Sequence, residues 1–177
     1  FITANLVHTG DTDTKITFAP DTITAETAGS ERLRIASDGK IGIGINDPER
    51  LVHLSSNNTV VALTDTAAST DEKTRYILSD AGVFAIGKLS DDYNTATEHL
   101  RILTNGQVLI GTTDAGHSSA DDLTINNSGN GGITIRTGTT SNGAIFFADS
   151  TSGTARYDGF VQYNHGSSPY MMFGTAG

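Results

Sequence analysis

Apolar and polar residues alternate along this chain in short runs rather than recurring at helical spacing. Leu33 and Ile35 alternate with Arg32 and Arg34, the period-2 signature of a strand with one apolar and one polar face. Ser37-Asp38-Gly39 follows, and Asp-Gly between two alternating runs predicts a tight hairpin. Beyond the turn Ile41, Ile43 and Ile45 share one face while Gly42 and Gly44 occupy the other. The glycine face carries no side chains, so another backbone has room to approach it closely.

This phrase is said twice. Glu31 to Gly44 returns 67 positions later as Glu98 to Gly111, with Glu31/Glu98, Leu33/Leu100, Arg34/Arg101, Ile35/Ile102, Gly39/Gly106, Ile43/Ile110 and Gly44/Gly111 identical. Thr104-Asn105-Gly106 repeats the turn with the other favoured pair, Asn-Gly. A recurring supersecondary unit of this kind marks a fibre, solenoid or array. A lone two-stranded hairpin is marginal in water, so each unit needs partners.

The same reading places strands at Lys15–Phe18 and Asp21–Thr24, then at Leu51–Leu54 after an Asn46-Asp47-Pro48 turn. Further along it places them at Thr59–Leu63, Arg75–Leu78 and Val83–Ile86, with Asp80-Ala81-Gly82 as a turn and a brief helical turn at Asp71–Lys73. Ile133–Ile135, Ala144–Ala148, Phe160–Tyr163 and Tyr170–Phe173 complete the set. Three β-rich units are expected: 1–54, 55–125 and 126–177. Thr175-Ala176-Gly177 echoes the Thr27-Ala28-Gly29 that precedes the first copy, so the chain is expected to stop where a third would begin. Opening on Phe1 rather than Met, it is expected to be a piece of something longer.

Composition strengthens the β reading. Glycine is 20 of 177 residues, above the usual share of about 7%, proline is 3 and tryptophan is absent. With only 36% hydrophobic residues, one chain has little from which to build a core, and association of several chains would make up the shortfall. A net charge of −9 disfavours nucleic acid and anionic membrane surfaces. The absence of cysteine removes disulfides, thiol catalysis and cysteine metal sites. No apolar run approaches the length of a membrane-spanning helix.

Candidate chemistry is thin. Ile41-Gly42-Ile43-Gly44 lacks the third glycine of a dinucleotide fingerprint, Asp47 standing in its place. His8, His53, His99, His117 and His165 form no zinc-type pair; a symmetry axis could gather three copies of one, His53 first among them. Asp11-Thr12-Asp13 and Asp121-Asp122 are oxygen-rich but lack the remaining ligands of a calcium loop, and read as solvated turns. Tyr76, Tyr93, Tyr157, Tyr163 and Tyr170 are the aromatic rings available to stack on sugars. Phe146, Phe147, Phe160, Tyr163, Tyr170 and Phe173 cluster late in the chain, as core or as an exposed receptor-binding patch. Glu31 and Arg34, like Glu98 and Arg101, are three apart, which puts them on opposite faces of a regular strand. The expectation is therefore an interchain salt bridge between adjacent protomers. No catalytic, cofactor or metal residue is assigned.

Leu-Arg-Ile, Ser/Thr-Asp/Asn-Gly, Ile-Gly-Ile-Gly and Asn-Asp-Pro in succession resemble the shaft repeats of phage tail fibres, particularly of marine and cyanobacterial phages. Gly129–Ile135, Ile145–Asp149 and Tyr157–Tyr163 resemble the segment preceding the next repeat in such fibres. The resemblance runs from about Asp11 to Gly177 and implies an all-β, elongated, intertwined homotrimer. It implies a non-enzymatic virion component that supports host attachment, with itself, other tail proteins, and host glycan or lipopolysaccharide as partners. Many such fibres end in a self-cleaving intramolecular chaperone; no Ser/Lys pair in a recognisable motif represents it here, so protease activity is not implied. A polysaccharide-degrading tailspike segment or a bacterial surface adhesin are the alternative readings. A tailspike hydrolase would need two carboxyls about 5–9.5 Å apart across a groove.

Overall fold

The structure, a computed structural model, describes residues 4–175; the expectations that rest on Phe1, Ala176 and Gly177 lie outside them. The protein is all-β. Six strands, β1 (Asn5–His8), β2 (Asp11–Ala19), β3 (Thr22–Thr27), β4 (Ser30–Ile35), β5 (Ile41–Ile43) and β6 (Val52–Leu54), form one sheet in chain order. A second sheet repeats that order with β7 (Thr59–Thr64), β8 (Thr74–Asp80), β9 (Val83–Leu89), β10 (Ala96–Ile102), β11 (Val108–Ile110) and β12 (Leu123–Ile125). β13 (Asn142–Phe147), β14 (Gly159–Asn164) and β15 (Tyr170–Thr175) form a third sheet of three antiparallel strands. The chain divides into two compact units at Ser128/Gly129, the first two sheets belonging to one and the third to the other.

The repeat is therefore larger than the phrase that announces it. Each copy is a whole six-stranded meander whose last pair, β5–β6 or β11–β12, is parallel. Ile41 N–H donates to Leu51 C=O and Ser55 N–H to Ile43 C=O, closing the first parallel pair at 2.8 and 2.9 Å. Val108 N–H to Asp122 C=O and Asn126 N–H to Ile110 C=O repeat this in the second copy. Sequence alternation does not reveal strand direction, so this parallel return was not foreseen.

Turn chemistry differs from the simple Asp-Gly expectation. Gly39 alone is left-handed, at φ +83°; Asp38 is not. Ala36 N–H donates to Lys40 C=O and Gly39 N–H to Ala36 C=O, the pattern of a type I turn closed by a glycine bulge. Asp38 Oδ1 caps the turn by accepting Lys40 N–H at 3.2 Å, and Asn105 does the same for Gln107. The two-residue turns with both residues left-handed fall instead at Ala28-Gly29 and Ala81-Gly82. Three further expectations are corrected. Ile133–Ile135 forms no strand, and the span 71–73 is not helical because Asp71 sits at φ +59°. Ile45 is not in line with Ile41 and Ile43, because the chain leaves the strand at Gly44, φ +73°.

Gly44 and its repeat Gly111 cannot be replaced without cost. Each is left-handed, and a Cβ would meet the Ser55 or Asn126 carbonyl oxygen at 2.2 or 2.3 Å. Gly39 is left-handed too, but a Cβ there meets nothing within 4 Å. Gly44→Ala and Gly111→Ala are each expected to cost roughly 2 kcal/mol or more, and Gly39→Ala about 1 kcal/mol. Thermal melts at one fixed protomer concentration check the ranking; equal losses at all three would remove the role of the close backbone approach.

Candidate functional site

Cross-strand register decides which residues share a face. In the first sheet Leu6, Ile16, Ala25, Leu33, Ile43 and Leu54 stand opposite one another in one row. Phe18, Ile23, Ile35, Ile41 and Val52 form the next row on the same face. In the second sheet the rows are Val61, Ile77, Ile86, Leu100, Ile110 and Ile125, then Ser79, Phe84, Ile102, Val108 and Leu123. These two faces are almost wholly apolar, yet they are open: Ile43 is 43% exposed, Phe84 40% and Ile125 38%.

The opposite faces, polar in the first sheet and mixed in the second, are partly covered by their own chain. Gly42 lies on that face, and a Cβ on it would meet Ile45 C=O at 2.4 Å, so the 44–51 connection folds over it. In the second meander Leu109 holds the position of Gly42 and is fully buried, and Gly116 N–H donates to Thr124 Oγ1 on the same face at 2.9 Å. Thr24 and Ala85, equivalent in the two registers, are buried there as well. The third sheet is less one-sided, since Phe146, Phe160, Tyr170 and Met172 stand on its second face. Ile145, Phe147, Val161, Tyr163, Met171 and Phe173 share one face, with Phe173 73% exposed, while Phe146 packs edge-on against Tyr157 and Phe160 across the other. The late aromatic cluster is thus split between two faces rather than forming one core.

The expected interchain Glu–Arg bridge is corrected to a pair within one chain. The register slips between Glu31 and Leu33, because Ala25 faces Leu33 and Glu26 faces Glu31, which leaves Arg32 as a bulge. His99 is the equivalent bulge in β10. One extra residue brings Glu31 and Arg34 to the same face. Arg34 Nε and Nη2 then donate to Glu31 Oε1 and Oε2 at 2.7 and 2.6 Å, and Arg101 binds Glu98 in the same forked way. These bonds hold both guanidinium groups above their ordinary pKa. The bulge is legible only in the sequence's failure to keep strict alternation.

Other candidates are scattered. His53 Nδ1 accepts Glu49 N–H, His117 Nδ1 accepts Ser119 N–H, and His165 lies edge-on to Tyr163. Among the described residues no three His, Asp or Glu side chains are placed to hold a metal. The Asp11 and Asp13 carboxyls bond to each other, which lowers the first pKa and raises the second. Tyr76 is no sugar platform, being 3% exposed against Gly87; the other four tyrosines are exposed. No family model matches the chain, and no curated protein matches it.

One cluster was not foreseen. Loops 65–73 and 90–95 meet at one end of the second sheet, where Lys73 Nζ pairs with Asp91 at 2.6 Å and Asp91 N–H donates to Asp71 Oδ1 at 3.0 Å. Tyr93, at φ +61°, shares a hydrogen bond with Thr64 Oγ1. Asp92 accepts the Ser90 hydroxyl and the backbone and side-chain N–H of Asn94, which bring its pKa down to about 2.

Two outcomes follow. Arg34→Gln or Arg101→Gln should lower stability by about 1 kcal/mol, since each pair is only partly buried, and leave the solution mass unchanged. A drop in mass would instead place the pair between chains. Because the Asp92 pKa lies below its ordinary 3.8, the order it gives loop 90–95 is complete above about pH 4 and lost as pH falls toward 2. Carboxyl NMR should show that midpoint rising toward 3.8 in Ser90→Ala; an unmoved midpoint would exclude the Ser90 bond as its cause.

Proposed function

We propose that this chain is a structural segment of a trimeric viral tail fibre that supports host-cell recognition and attachment. Its partners on this reading are two further copies of itself, other tail proteins of the virion, and a host surface glycan or lipopolysaccharide. It works as a virion component outside the cell after assembly in the host cytoplasm. Its mechanism is mechanical and adhesive rather than catalytic.

The observation that carries the reading is the open apolar face, present on every sheet and in the same register in both meanders. Copies of one chain present matching apolar faces to one another, and closed rotational symmetry lets all of them be covered at once. The resemblance to phage fibre shaft repeats supplies the viral context.

Sedimentation of the segment should give about 55.5 kDa, three times 18.5 kDa, with a high frictional ratio. Ile43→Asp, on the open face, should shift the mass toward 18.5 kDa, whereas Ala19→Asp, exposed on the opposite face of the same sheet, should not. A compact wild-type monomer would overturn the fibre reading.

A further inference from the structure

The two meanders match at one end and differ at the other. At the matching end Pro20-Asp21 corresponds to Ala81-Gly82, and the five-residue links 36–40 and 103–107 have the same hydrogen bonds. At the other end the first meander closes with Thr9-Gly10 and Ala28-Gly29, while the second carries loops 65–73 and 90–95. The scaffold folds with two-residue turns at those positions, so the loops are additions to it. Ordered additions on a rigid scaffold are where binding residues concentrate. These loops are ordered: Asp65 N–H donates to Lys73 C=O at 2.9 Å, and the Lys73–Asp91 pair ties one loop to the other.

Loop 65–73 walls a depression of about 760 Å³, lined among others by Leu63, Thr64, Asp65, Ser69, Glu72 and Arg75. Its charges are already satisfied. Glu72 pairs with Arg75 at 2.7 Å and also with Lys88, Lys73 pairs with Asp91, and Asp65 Oδ1 accepts Ala67 N–H. An ionic ligand would meet both signs of charge at once and gain little net attraction from these partly exposed pairs. A hydroxyl suits them, because it both donates and accepts. Paired carboxylates keep spare lone pairs, and Arg75, Thr64 and Ser69 supply donors. Leu63, 62% exposed, offers an apolar surface for the C–H face of a sugar ring. The row Leu63, Arg75, Lys88 and Thr97 is where the apolar face of this sheet turns polar, so the depression opens at its margin.

We infer that this depression binds a neutral saccharide. The inference deepens the attachment role proposed above and rests on it. It identifies one place where this segment touches a host glycan, and it makes the second meander, not the first, the one that binds.

The test is an array carrying neutral oligosaccharides (gluco-, galacto-, manno- and N-acetylglucosamine-based) beside uronic-acid and phosphate-bearing counterparts. The wild-type segment is compared on it with two variants. Ser69→Trp fills the depression without touching the ion pairs, and a second variant replaces residues 65–73 by the Thr-Gly of the first meander. Retention of neutral glycans, with at least a tenfold loss in both variants, is expected. No neutral glycan retained, preferential retention of acidic ones, or retention unchanged by Ser69→Trp would overturn the inference. Sedimentation of the same samples separates the two readings. A trimer that retains no neutral glycan removes this site alone, whereas a monomer removes the fibre reading whatever the array shows.

Discussion

Everything about these sheets depends on keeping two faces chemically distinct, and a single extra residue in β4 and in β10 does much of that. In a regular strand Glu31 would fall in line with Leu33 and Ile35, placing a carboxylate on the apolar face. The bulge at Arg32 turns Glu31 to the other side, where the Arg34 guanidinium meets it with two hydrogen bonds. The bulge is held in turn by the end of the next strand, since Gly44 N–H donates to Arg32 C=O at 3.0 Å and Gly111 N–H to His99 C=O at 3.1 Å. Glutamate, arginine and the closing glycine are identical in the two copies because they are three parts of one device.

Sidedness has an energetic consequence. Among the described residues the buried hydrophobic side chains are Tyr76, Ala85 and Leu109, a core too small for a chain of this length. Covering a half-exposed isoleucine or leucine gains on the order of 1 kcal/mol, and each meander presents two full rows of them. On the reading proposed here most of the stability resides between chains, and a protomer alone holds its sheets by backbone ladders, turns and partly exposed ion pairs.

The faces opposite the apolar rows show how two copies of one plan diverge. Lys15 pairs with Glu26 across β2 and β3 at 3.3 Å in the first meander. Tyr76 and Gly87 hold the equivalent positions in the second, where the ring lies buried in the space that a Cβ on Gly87 would fill. Burial and the nearby Glu98 raise the Tyr76 pKa. The apolar rows changed less, and on the proposed reading these are the surfaces that meet another copy.

The sequence by itself determined the all-β class, the hairpin joining β4 to β5, and the strands at Thr59, Arg75, Val83, Phe160 and Tyr170. Alternation and glycine-containing turns act over a few residues, and a local pattern is enough to specify them. It also announced the repeat, though only the part where side chains stayed constant. The full meander, its parallel final pair, the bulge and the contact between loops 65–73 and 90–95 were decided by tertiary structure. Each depends on groups ten or more residues apart in the chain: Leu51 against Ile41, Ser55 against Gly44, and the Asp91 N–H against the Asp71 carboxylate. Register is a property of two strands, not one. A single sequence therefore predicted the Glu31–Arg34 pair on the wrong side, and the fold brought it together.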